Sequence, residues 1–142
     1  MKKIKFIIQS ELENVELVGM SLKKLCSLTS FSENQAFQIE LCAVEAINNS
    51  IIHAYNGAIK YEVEVVMTIR KDCLLIEVCD RGKAMNQKIL EKADLTHKDD
   101  YLESLEKLSE TGRGLGFIKE FMDNVTYKTD SGVNCLKMIK YF

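Results

Sequence analysis

From Tyr61 to Arg70 the chain alternates apolar and polar residues, and a second apolar-rich run, Cys73–Asp80, follows with only Lys71 and Asp72 between. Tyr61, Val63, Val65, Met67 and Ile69 share one parity against Glu62, Glu64, Thr68 and Arg70, which is the period of a half-buried strand. A short turn at Lys71-Asp72 makes Cys73–Asp80 its antiparallel hairpin partner. Ile4, Phe6 and Ile8 alternate with Lys3 and Lys5 and predict an earlier strand. Two last strands, Val125–Thr129 and Val133–Tyr141, flank an Asp130-Ser131-Gly132 turn. Between these strands run helical periods. Val15, Val18, Leu22, Leu25 and Cys26 predict a helix ending near Ser30. Ser32 with Gln35 forms a capping-box pattern that opens a second, long helix, with Phe37, Leu41, Val44, Ile51 and Tyr55 in its stripe. Asn56-Gly57 stops it. A third helix is expected over Gly112–Asn124, with Leu115, Ile118, Phe121 and Met122 inward. The polar stretch Asn86–Glu110 is expected to hold a short helix or two, with Glu103 and Lys107 in i,i+4 support. These helices cannot alternate one-for-one with the strands. The expectation is therefore α+β, an antiparallel-rich sheet with helices on one face.

The 142 residues, 46% of them apolar, suffice for one core, and without proline, repeat or linker the chain reads as a single domain over 1–142. Nineteen Lys and Arg against 21 Asp and Glu give a net charge of -2. No basic surplus exists for direct nucleic-acid binding. Lys5 and Ser10-Glu11 break up the basic start before any signal-like apolar region forms. The longest uncharged stretch, Ala46–Ile59, carries Asn48, Asn49, Ser50, His53 and Asn56 and cannot span a bilayer. The expected location is the cytoplasm, away from membranes. Five cysteines, at 26, 42, 73, 79 and 135, each lie in an apolar run and read as buried reduced thiols. With two histidines, a zinc site is not expected.

Three places can carry chemistry. Glu45 and Asn49 stand one turn apart on the second helix, and His53 continues their line. Asn supplies a neutral oxygen suited to Mg²⁺, and Glu can orient a water or hydroxyl. Alone, the pair reads first as a solvated helix edge with ordinary polar residues. Asp80 shares the parity of Leu74, Ile76 and Val78, so it points toward the buried side, where a carboxylate needs a partner. Gly82 then lets the chain turn close to whatever lies there. Alone, Asp80 could simply cap its own turn. Gly112-Arg113-Gly114-Leu115-Gly116 heads an apolar helix, and its glycines let backbone N–H groups approach an anion at the helix N-terminus. The spacing is not G-x-G-x-x-G, and no Gly-Lys-Ser/Thr follows, so neither a Rossmann nor a Walker loop is present.

In order and together, these segments resemble the N, G1 and G2 boxes of the GHKL superfamily of ATPases and kinases. The boxes are Glu45-Ala46-Ile47-Asn48-Asn49, Asp80-Arg81-Gly82 and Gly112–Gly116. Within it the chain is most similar to the bacterial anti-sigma-factor serine/threonine kinases, through AVEAINNSIIHAY (43–55), GRGLGFIKEFMDNVTY (112–127) and SGVNCLKMIKYF (131–142). The resemblance covers nearly the whole chain. It implies a two-layer α+β sandwich, a mixed, mostly antiparallel sheet covered on one face by helices, with ATP between the helices and a lid over Asp94–Thr111. It further implies that Asp80 binds the adenine amino group, that Gly82 makes room for the base, and that Asn49 holds Mg²⁺. Thr111, Gly112, Arg113, Gly114, Leu115 and Gly116 would contact the phosphate tail, and Glu45 would be the general base. An ordinary glutamate pKa of about 4.3 makes a feeble base, so positioning and Mg²⁺ electrostatics would carry most of the rate. The family's G1 box often ends in glycine where this chain has Ala84.

The activity so implied is that of an anti-sigma factor which binds a sigma factor and phosphorylates a serine or threonine on a STAS-domain anti-sigma-factor antagonist. Such proteins are typically homodimers. The alternative on the same fold is a nucleotide-dependent protein-binding regulator without phosphotransfer. Glu45 together with Asn49 favours catalysis, because a pure binder could do without the base.

Overall fold

The computed structural model describes residues 1–93 and 114–142. The expected lid, the Glu103–Lys107 pair, Thr111, Gly112 and Arg113 lie outside the described residues. Five strands form one sheet, β1 (Lys2–Gln9), β2 (Glu62–Ile69), β3 (Cys73–Asp80), β4 (Asn124–Asp130) and β5 (Val133–Tyr141), in the order β1-β2-β3-β5-β4. All four pairings are antiparallel, so the sheet is not mixed as the resemblance implied. After β3 the chain returns at the far edge as β4. The hairpin of β4 then lays β5 back between β4 and β3, antiparallel to both, so β3 and β4 run the same way. Ser131 and Gly132, at φ 51° and 78°, make that hairpin turn, whose paired left-handed residues match the twist of the strands.

Helices α1 (Glu13–Leu25), α2 (Glu33–Asn49), α3 (Gln87–Lys92) and α4 (Gly114–Phe121) accompany the sheet. The inward parity of β2, β3 and β5 presents Val63, Val65, Met67, Leu74, Ile76, Val78, Leu136 and Met138 to one core. Val18, Leu22, Ile39, Cys42, Ile47 and Phe117 from the helices close it. Each such side chain contributes about 1.5–3 kcal/mol on leaving water. The α+β sandwich with helices on one face is thus present. On the other face Lys5 pairs with Glu64 at 2.8 Å.

The second helix opens as its sequence predicts: Ser32 Oγ accepts from Gln35 N, and Gln35 Oε1 accepts from Ser32 N. Its end differs from the expected continuous helix. From Ser50 to Ala54 the chain widens into a π turn, with Tyr55 N donating to Ser50 O at 3.0 Å. Asn56 and Gly57 then adopt positive φ and stop it. A second departure concerns the cysteines. Cys79 and Cys135 face each other across the β3–β5 ladder and are joined as a disulfide, while Cys26, Cys42 and Cys73 are buried free thiols. Fifty-six residues separate the bonded pair. Only the strand register brings them together, and no spacing pattern announces it.

Candidate functional site

The end of α2, the π turn and the end of β3 are stitched into one wall. Tyr55 Oη donates to Glu62 O at 2.7 Å and accepts from Arg81 N at 2.8 Å. Lys83 N donates to Ala54 O at 2.9 Å. Gly82 lies so close to that same carbonyl that a Cβ would run into it and into Ala54 Cβ. The turn after β3 can take this path only with glycine there. Ala84, two residues on, is not among the residues with positive φ, so alanine sits there without backbone strain.

Under this wall lies a cavity of about 470 Å³, within the range of small-molecule sites. Asn49, Ser50, His53 and Ala54 line it from the helix side, Val78, Asp80 and Leu136 from the sheet, and Lys83, Ala84, Met85 and Asn86 from the following loop. Leu115, Ile89 and Tyr127 add to the lining, and Tyr127 Oη accepts from Met85 N at 2.9 Å. The lining is largely apolar with a few polar atoms. That suits a flat heteroaromatic ring with polar edges.

Asp80 is 7% exposed, as its parity predicted, and its partners are specific. Oδ1 accepts from Gly82 N at 3.0 Å and from Asn134 Nδ2 at 2.9 Å. Asn134 itself escaped the sequence reading. Its inward parity on β5, opposite Asp80 in register, was the signal that could have found it. Asn49 Nδ2 is buried and has no hydrogen-bond partner among the described residues. An orphaned amide beside a cavity is a group awaiting a ligand, because leaving it unmet costs about 1–3 kcal/mol.

Glu45, one turn before Asn49, does not line the cavity. It is fully buried beneath the first turn of α4, packed so tightly that a Cβ on Gly114 would collide with its carboxylate. Gly114, Leu115 and Gly116 are all buried in α4. The structure therefore brings Asn49, Asp80 and Leu115 to the cavity, with Gly82 behind Asp80, and sets Gly114 against Glu45. Tyr55, Tyr127, Met85 and Lys83 are further contributors that the motifs did not name.

No described helix is long and apolar enough to cross a membrane. Residues 8–140 match the family described as Histidine kinase-like ATPase domain. The serine-protein kinase RsbW of Oceanobacillus iheyensis is 30% identical over 139 residues, covering 97% of this chain and 85% of that protein. RsbW of Bacillus velezensis is 30% identical over 140 residues (97% and 84%), and RsbW of Listeria monocytogenes 30% over 139 residues (98% and 87%). Among solved structures, a chain of the SiaB–SiaC complex from Pseudomonas aeruginosa superposes with a TM-score of 0.62 at 14% identity, covering 98% of this chain and 89% of that one. That likeness speaks to the fold. The boxes in their order, the cavity that Asn49, Asp80 and Leu115 line and a match over nearly the whole chain agree: the protein belongs to the histidine kinase-like ATPase domain family.

Proposed function

We propose that this chain is an ATP-dependent protein serine/threonine kinase and anti-sigma factor of the cytoplasm, acting as a single domain and as a homodimer. It would bind a sigma factor and phosphorylate a STAS-domain anti-sigma-factor antagonist. The observation that carries this reading is the alignment, along one helix, of a buried carboxylate and an unmet amide that leads into a cavity with a carboxylate on its floor. The relatives named as serine-protein kinases support the same reading. A phosphate placed on the antagonist adds charge and acceptor oxygens at a contact surface, which can release that partner and so change which protein the kinase holds.

Each residue has a role in this reading. Asp80 accepts a hydrogen bond from the adenine amino group, and Gly82 leaves room for the ring. Asn49 presents its amide where the phosphates enter: the unmet Nδ2 is a donor suited to a phosphate oxygen, and the neutral Oδ1 would hold Mg²⁺, which when bound neutralises phosphate charge. Thr111, Gly112, Arg113, Gly114, Leu115 and Gly116 would contact the phosphate tail. Glu45 takes the proton from the acceptor hydroxyl, and because the start of α4 covers it, that turn must move aside first. In a reducing compartment Cys79 and Cys135 stand as two thiols opposed across the ladder.

The test is γ-labelled Mg·ATP added to the purified protein with a lysate of its host, and Glu45→Ala in parallel. One small protein labelled on serine or threonine, absent from the Glu45→Ala lane, is the expected result. Label that persists in that lane removes Glu45 from the chemistry. No label with wild type, despite measured ATP binding, leaves the nucleotide-dependent binding regulator.

A further inference from the structure

Asn134 is 1% exposed and lies behind the cavity rather than in it. Its amide is fully committed. Nδ2 donates to Asp80 Oδ1 and to Gly82 O, both at 2.9 Å, and Oδ1 accepts from Thr129 Oγ1 at 2.7 Å. The orientation is unambiguous, because a flipped amide would set its oxygen against two groups that can only accept. The result is a relay across three strands, Thr129 on β4, Asn134 on β5 and Asp80 on β3, tied into the turn at Gly82.

The relay decides what the cavity floor offers. Both amide hydrogens are spent on the protein, so Asn134 shows no donor to a ligand. Asp80 Oδ1 already receives two donors, from Asn134 and Gly82. No donor among the described residues reaches Oδ2, and Asp80 lines the cavity. The floor is therefore an acceptor held in one orientation. It complements the 6-amino group of adenine and opposes the 6-oxo group of guanine, an acceptor facing an acceptor.

We propose that Asn134, oriented by Thr129, is the positioning residue that sets purine selectivity in this pocket by holding the Asp80 carboxylate so that Oδ2 faces the cavity as an acceptor. The inference rests on the adenine-site reading above and goes beyond it. Without Asn134 the Asp80 carboxylate can rotate and take up water, and its bond to the 6-amino group loses its advantage. A hydrogen bond to a charged group is worth about ten- to a hundredfold in affinity.

The test compares ATP with purine riboside triphosphate, which has hydrogen in place of the 6-amino group, by titration calorimetry on wild type, Asn134→Ala and Thr129→Val. Wild type should prefer ATP by about ten- to a hundredfold. Asn134→Ala should cut that preference to within about threefold while leaving the affinity for the 6-deaminated analogue nearly unchanged, and Thr129→Val should move it the same way by less. An equal loss for both nucleotides, or an unaltered preference in Asn134→Ala, overturns the proposal. If Asn134→Ala does not fold, Thr129→Val decides, and an unchanged preference there overturns it. A wild type without any preference for ATP overturns the adenine reading itself, and this inference with it.

Discussion

Asp80→Asn keeps the size of the side chain and turns one acceptor into a donor at a buried position with several fixed partners. It is expected to abolish ATP binding in calorimetry while the circular dichroism spectrum stays native. Gly82→Ala acts through space instead: its Cβ meets the Ala54 carbonyl, and with backbone on both sides neither can yield. Overpacking of this kind costs about 1–3 kcal/mol, to be read from urea midpoints. The free thiols make a prediction about pH. Burial pushes Cys26 up to about 11, and burial, with the Glu45 charge adding to it, raises Cys42 further. Unfolded thiols lose their protons near pH 9 while the native ones keep theirs, so the native state binds more protons and stability falls as pH rises above 9. The expected slope is about 1.4 kcal/mol per pH unit for each thiol that ionises only on unfolding, and Cys26→Ala should flatten it in urea titrations between pH 8 and 10. At this scale Asp80 was legible because strand parity is local. Asn134 was not, since its partner lies 54 residues away in sequence.

Among the elements, α2 shows most plainly what a sequence can announce. Its capping box depends on residues three apart, and both halves of it form. Ser32→Ala should cost about 1 kcal/mol by the same urea measurement. The π turn at its far end had no such signal, since apolar spacing reads alike through α and π turns over five residues. The short helix α3 was foreseen only as a possibility within a polar stretch. It is held from outside by Lys119 of α4, whose ammonium donates to the carbonyls of Leu90, Glu91 and Ala93 at 3.0–3.1 Å. A cation at these terminal carbonyls also favours the helix dipole. Lys119→Met, which keeps most of the stem, should speed amide hydrogen exchange in α3 while leaving β2 and β3 protected.

For the molecule as a whole, the hairpins and helical stripes predicted an antiparallel-rich sheet under helices, and that architecture is present. The strand order was beyond reach, because placing β5 between β3 and β4 rests on β3–β5 pairings between distant stretches of the chain, such as Cys73 with Tyr141. The same long-range register hid the Cys79–Cys135 bond. Closing a loop of this length restrains the unfolded chain, so reduction should lower stability by about 2–4 kcal/mol, and Cys79→Ala with Cys135→Ala should match the reduced protein. The register has one more consequence. Side chains alternate through a sheet, so Cys79 and Cys135 lie on the outer face one residue from Asp80 and Asn134 on the inner. A spectroscopic tag on either thiol, with the other cysteine replaced, would watch the cavity floor from behind, signalling what arrives there without obstructing the entrance.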